Sequence, residues 1–303
     1  LIEDNGAGIR LTSTTTALLV NNIIVRSTDA SNGDGVQVAA SSDVRLINNT
    51  VYKNQHYGIL LSSTAKVLVN NSIISQNTRG DLIGFQPGNI LFSLIGDGSI
   101  TGNNNTSGDP KLVNPDNNVF DLSPGSPALD AGSNGVSDMP LLDYYQKLRI
   151  ASTGARPGDG KVDMGATEAG SSYPLFFPLL ANGGVSTLGD TFTTGFALLN
   201  TTGDTVSANV TAYAPSGDLL AGTSNPSVQS IGSGAQVPIL GFQLFGFDQG
   251  APRLGAVLAG SAQKLAGFFL VFDRDFKRLA DGVDVSNNSD TNLIFMQHQW
   301  DAA

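Results

Sequence analysis

A phrase built around an asparagine pair occurs three times in the first quarter of this chain, and it constrains the fold more than any other feature. Leu18-Leu19-Val20-Asn21-Asn22-Ile23-Ile24-Val25 comes back as Val44-Arg45-Leu46-Ile47-Asn48-Asn49-Thr50-Val51 and again as Lys66-Val67-Leu68-Val69-Asn70-Asn71-Ser72-Ile73-Ile74. Counted on Asn22, Asn49 and Asn71, the steps are 27 and 22 residues. A second phrase keeps time with the first: Gly8-Ile9-Arg10-Leu11, Gly35-Val36-Gln37-Val38 and Gly58-Ile59-Leu60-Leu61. Strands this short bury no face alone, but coils stacked about 4.8 Å apart share a continuous interior. The repeat therefore predicts a solenoid. Asparagine suits its corners because a short amide tolerates the left-handed backbone and can bond to its equivalents above and below.

Composition agrees with an all-β chain. Only 14% of the 303 residues are charged, while 36 glycines and many Asn, Ser and Thr supply turns and polar surface. A net charge of −10 would repel phosphate backbones and anionic lipid, so nucleic acid is excluded as a partner. Cysteine is absent, so disulfides contribute nothing to stability. No apolar run approaches the roughly 18 residues needed to span a bilayer. Leu1-Ile2-Glu3-Asp4-Asn5-Gly6 reads like the middle of a repeat, which leads one to expect that the numbering starts inside a longer precursor.

These coils resemble the right-handed parallel β-helix of the pectate-lyase-like superfamily. The segment after them is more specific. Asp109-Pro110-Lys111-Leu112-Val113, then Phe120-Asp121-Leu122-Ser123-Pro124-Gly125-Ser126-Pro127-Ala128-Leu129-Asp130-Ala131-Gly132, and finally Val162-Asp163-Met164-Gly165-Ala166-Thr167-Glu168 resemble the end of bacterial surface β-helix proteins of the choice-of-anchor Q type. Thr167 stands where that family usually has an aromatic. The resemblance covers roughly residues 1–170 and implies a secreted or cell-surface location.

The carboxylates of that closing segment have two readings. Asp109, Asp121, Asp130, Asp163 and Glu168 could gather around calcium, a hard cation that prefers oxygen ligands. The reading we prefer is turn capping through side-chain to backbone hydrogen bonds, with no cofactor, because Ser-Pro-Gly-Ser-Pro is turn chemistry.

After Gly170-Ser171-Ser172 the asparagine corners stop, which divides the chain into residues 1–170, the β-helix coils with their closing segment, and residues 171–303. Beyond an apolar lead-in from Tyr173 to Leu180, alternating stretches predict strands over Thr191–Asn200, Val206–Tyr213, Ala235–Leu240, Leu254–Ala259, Leu265–Phe272 and Asn292–Gln297. Ala214-Pro215-Ser216-Gly217-Asp218 marks a turn between two of them. Such spacing suggests an immunoglobulin-like β-sandwich. It also resembles β-modules of bacterial secreted proteins through Phe177-Pro178, Leu198-Leu199-Asn200 and Ala266-Gly267-Phe268.

No complete catalytic site is visible. A lyase would need calcium-bound carboxylates beside a basic residue on adjacent coils, and a hydrolase two facing carboxylates. One coil on from Asp34 stands Tyr57, and from Asp43, Lys66. Arg26, Lys53 and Ser75 align four residues past the corner asparagine and read as a solvated basic edge. The two histidines, His56 and His298, fall in different domains, and His56 reads as a surface residue whose only binding alternative is a sugar contact shared with Tyr57. The expectation is an extracellular structural or adhesive protein, partnered by its own copies, by other surface proteins or by polysaccharide. An uncapped solenoid end would favour assembly into a fibre or layer. The alternative is the C-terminal part of a secreted polysaccharide lyase or other carbohydrate-active enzyme, with an accessory carbohydrate-binding domain.

Overall fold

The computed structural model describes residues 1–12, 16–39, 42–61, 65–150, 160–183, 192–273 and 279–285, the last of these by backbone alone. His298 and the strand expected over Asn292–Gln297 lie outside the described residues.

The repeats form stacked coils with three parallel sheets. One takes Ile2–Glu3, Ile23–Val25, Thr50–Tyr52, Ile73–Ser75 and Leu94–Ile95. A second takes Ile9–Leu11, Val36–Val38, Tyr57–Leu61 and Gly80–Ile83, and a third Thr16–Val20, Asp43–Ile47, Lys66–Asn70 and Ile90–Leu91. Every pairing within these sheets is parallel. Aliphatic side chains therefore stack on their own equivalents: Ile24 pairs with Val51, and Val51 with Ile74. Val36, Ile59, Leu46, Val69 and Ile90 complete the tube at 0% exposure, each such burial contributing about 1.5–3 kcal/mol.

The register corrects one expected step. Thr50 pairs with Ile73 and Ile47 with Asn70, so the second step is 23 residues, and Asn71 lies beneath Asn48 rather than Asn49. The asparagine pair thus splits into two columns. Asn21, Asn48 and Asn71 hold the left-handed corner, with φ of 54°, 52° and 49°. Their neighbours turn inward as a ladder of oxygen acceptors: Asn22 N donates to Asn49 Oδ1 (2.9 Å), Asn49 N to Ser72 Oγ (3.1 Å), Ser72 N to Ser93 Oγ (3.1 Å) and Ser93 N to Asn105 Oδ1 (2.9 Å). A second ladder at the next corner runs Ser27, Asn54, Asn77, Asp81, each backbone N–H bonding to the following side chain at 3.1–3.2 Å. Buried backbone donors left by the tight corners are satisfied this way at every level.

The closing segment returns along the flank of the coils. Among the described residues it contributes a short antiparallel pair, Leu112–Asn114 with Val119–Leu122, joined by a 3-10 turn at Pro115–Asn117, and an antiparallel bridge between Leu142 and Leu148. The outward faces of Ile23, Val25 and Tyr52 pack under Phe120 and Ala166, and those of Ile73 and Leu94 under Leu122, Ala128 and Met164. This explains why the Ile23–Val25, Thr50–Tyr52 and Ile73–Ser75 strands are buried on both sides. The corner column pins the segment: Asn21 Nδ2 donates to Leu142 O (2.6 Å), Asn48 Nδ2 to Asp163 O (3.2 Å) and Asn71 Nδ2 to Ser133 O (2.9 Å).

The second module is antiparallel, and its expected strands appear at Phe192–Leu199, Val206–Tyr213, Gln236–Leu240, Arg253–Ser261 and Ala266–Asp273. The lead-in is itself a strand, Tyr173–Gly183, and Ser227–Ile231 and Leu279–Val285 are further ones. All eight join one continuous sheet rather than two separate ones, because Phe192–Leu199 pairs along one edge with Ala266–Asp273 and along the other with both Tyr173–Gly183 and Gln236–Leu240. The sheet encloses a single core that includes Phe177, Leu198, Ala208, Phe245, Val257 and Phe269.

Candidate functional site

The residues that follow the Ile23–Val25, Thr50–Tyr52 and Ile73–Ser75 strands are Arg26, Lys53 and Gln76, with φ of 55°, 53° and 57°. A left-handed corner at the same point of successive coils points the three side chains outward in one column. Gln76, not Ser75, is the third member, for the same 23-residue step that shifts the asparagines; Ser75 is buried at 1% exposure. The column walls a groove of about 440 Å³ lined also by Asp4, Ser27, Thr28, Gln55 and Thr78. Behind it the Ser27–Asn54–Asn77 ladder keeps the loops at a fixed spacing.

The cations of the groove are held from one side. Arg26 bonds to Glu3, to Asp4 Oδ1 (3.3 Å), to Pro115 O (3.0 Å) and to Asn118 Oδ1 (2.7 Å). Lys53 Nζ lies 2.9 Å from Asp116 Oδ1 and 5.5 Å from the Tyr52 ring centroid. The Tyr52 phenol is pushed up to about 12 by burial, with Asp109 and Asp116 adding to the effect. The groove is thus a hydrogen-bonding surface of amides, hydroxyls and partly neutralised cations, rather than a strong field of one sign.

His56 is not on the surface. It is 9% exposed, with Nδ1 2.5 Å from Oδ1 of the buried Asp34, and Tyr57 N donates to the same oxygen at 3.2 Å. The His56 and Tyr57 rings meet edge to face at 4.5 Å. Asp34 thereby clasps the following coil.

The closing carboxylates divide: Asp109 and Asp121 lie apart, while Asp163 and Glu168 meet in one buried knot. Asp109 Oδ1 accepts from Lys111 N (2.9 Å) and stands apart. Asp121 pairs with Lys147 at 3.2 Å. Asp130 is exposed, and its backbone N–H donates to Asp163 Oδ1 (2.7 Å), while Ala169 N donates to Asp163 Oδ2 (2.8 Å). Glu168 accepts from Asp163 N, and Asp143 Oδ2 accepts from Glu168 N (2.9 Å). Into this knot reaches Arg149, fully buried, donating to the carbonyls of Gly165 (2.9 Å) and Ala166 (2.7 Å) and lying 3.7 Å from Glu168. Burial pushes Asp163 up to about 6. It also raises Glu168, helped by Asp163 and opposed by Arg149, and it raises Asp143. Among the described residues no group of three or more His, Cys, Asp or Glu side chains is arranged to hold a metal ion. Sequence reasoning missed Asp143 and Arg149. Their signal is a charge beside each of two apolar patches, Leu141-Leu142-Asp143 and Leu148-Arg149-Ile150, in a chain poor in charge.

Residues 1–109 match the family model described as right handed beta helix region. The coils are a right-handed parallel β-helix. A search of curated proteins finds no match. Among solved structures, the crystal structure of Thermotoga maritima 1070 aligns with 38% of this chain and 93% of that one, at 13% identity and a TM-score of 0.28. The groove of Arg26, Lys53 and Gln76 runs along the side of the β-helix, parallel to its axis, so its chemistry repeats with the rung spacing of about 4.8 Å.

Proposed function

We propose that this chain is an extracellular or cell-surface structural and adhesive protein whose β-helix binds an extended polysaccharide along the Arg26–Lys53–Gln76 groove. In this reading the closing segment is of the choice-of-anchor Q type, and the second module is a docking domain for other surface proteins or further copies of the chain. The observation that carries the reading is the groove itself: a polar column whose chemistry recurs coil by coil. A glycan backbone advances by about one sugar ring per residue, the same order as the rung spacing of about 4.8 Å, so successive sugars can meet equivalent side chains. Amide and hydroxyl groups match sugar hydroxyls, and the cations accept a carboxylate-bearing sugar. Asp4 is the single carboxylate among the residues lining the groove, which favours binding over the two-carboxylate or carboxylate-and-base chemistry of the carbohydrate-active alternative.

The test is retention on immobilised neutral and uronic-acid polysaccharides, comparing the parent with Lys53→Ala, Gln55→Ala and Gln76→Ala. These side chains are not in the tube, so folding is kept. A five- to tenfold loss of affinity per variant is expected, about 1–1.4 kcal/mol each, with Lys53→Ala affecting only the acidic polymers. Equal retention of parent and variants, or cleavage of the polymer into unsaturated products, would sink the adhesive reading.

A further inference from the structure

The second module has an apolar face on the outside of its sheet as well as within. Side chains alternate across a strand, and Phe196, Leu198, Phe269 and Val271 fill the core. Their neighbours point the other way: Gly195 and Ala197 on Phe192–Leu199, Pro238 and Leu240 on Gln236–Leu240, and Phe268 and Leu270 on Ala266–Asp273. The register sets them side by side, with Ala197 against both Pro238 and Phe268, and Gly195 against both Leu240 and Leu270. Together they line a groove of about 290 Å³ without a charged group, and Phe268 is 38% exposed. A strand apolar on both faces is the pattern of one covered on both sides.

We propose that this groove is the docking site of the chain's own C-terminal segment, Leu293-Ile294-Phe295-Met296-Gln297-His298-Gln299-Trp300. Strand Leu279–Val285 ends with Val285 opposite Gly267, the residue before Phe268, so the chain leaves the sheet at the rim of the groove. Residues 286–292, Ser-Asn-Asn-Ser-Asp-Thr-Asn, are all polar. Extended, they reach about 24 Å, comparable with the roughly 26 Å length of the eight-residue Ala266–Asp273 strand, so the segment from Leu293 can lie anywhere over the groove. That segment bears no Asp, Glu, Lys or Arg, matching an uncharged floor, and Leu293, Phe295 and Met296 supply the apolar side chains. Covering the face internally also removes an exposed apolar patch that would otherwise drive association.

Trp300 is the chain's single tryptophan, so intrinsic tryptophan fluorescence reports on this segment alone. In the full chain its emission is expected to be blue-shifted and protected from iodide quenching. Phe268→Asp in the groove and Phe295→Asp in the segment should each shift it to the solvent value, while Val228→Asp, at a 70% exposed position on another strand, should not. Light scattering should give a monomer mass for parent and variants. Solvent-like emission in the parent, or shielded emission indifferent to Phe268→Asp and Phe295→Asp, would overturn the proposal. So would a dimer mass that Phe268→Asp abolishes, which would assign the face to a second copy.

Discussion

Asp163 shows how a side chain that reads as one of several turn-capping or calcium-binding carboxylates becomes a buried structural pin. Its two oxygens are taken up by Asp130 N and Ala169 N, and its burial raises it to about 6. A folded-state value above the ordinary 3.8 means that its contribution to stability is complete below 3.8 and is lost as pH rises through about 6. Glu168 and Asp143, raised by the same burial, act with the same sign. The β-helix should therefore melt higher at pH 5 than at pH 7, by an amount on the order of 1–2 kcal/mol. Asp163→Asn should melt lower at every pH, because its amide cannot accept at both positions, and should flatten that pH dependence. Melting curves by circular dichroism at a series of pH values would check this, and a variant with the parent's slope would refute the role given to Asp163.

At the scale of the coil, stability depends on columns of equivalent residues, and the glycines show how close the rungs come. Gly8, Gly35 and Gly58 stand one above another where the second sheet begins, as the hydrogen bonds from Gly8 N to Asp34 O and from Ile9 N to Gly35 O indicate. A Cβ on Gly35 would lie 2.4 Å from a Val51 methyl, 2.7 Å from Gly58 O and 2.9 Å from Asn54 Nδ2. Gly35→Ala must push apart both the apolar tube and the inner ladder, at a cost of about 1–3 kcal/mol. Gly135→Ala is the control, because its added Cβ would meet only the Ser133 hydroxyl, at 3.8 Å, and it should change stability little. Urea titration of both variants measures the difference. The spacing of the column glycines, legible from the sequence, is 27 and 23 residues, and the strands that follow these glycines pair in that same register.

At the scale of the molecule, the described residues form two cores. The tube and its flank hold three clusters within residues 23–166, and the second module holds its own from Leu175 to Val271. Between them the described links are few: Leu148 N to Ser172 O at 3.0 Å, the Ser171 hydroxyl to Leu148 O, and the Tyr173 ring, with Lys147 at 5.9 Å and Lys264 at 5.6 Å. Separate apolar cores joined by so little polar contact behave as separate cooperative units. Scanning calorimetry is expected to resolve two transitions. Arg149→Leu, which leaves the buried carbonyls of Gly165 and Ala166 without their donor at a cost of about 1–3 kcal/mol each, should lower only the one belonging to the β-helix. A single transition moving as a whole would show that the modules unfold together.

The β-helix and most strands of the second module were legible because they rest on local rules. A repeat must stack on itself, and alternation must put apolar groups on one face. Asn22, Asn49, Val36 and Ile59 declare their places by spacing alone. The buried knot of Asp143, Arg149, Asp163 and Glu168, the clasp of His56 by Asp34, and the division of each asparagine pair into an outer pin and an inner rung were decided by tertiary structure. Arg149 meets Asn21 across 128 residues. No period connects them; only the return of the closing segment along the flank brings their hydrogen bonds within reach.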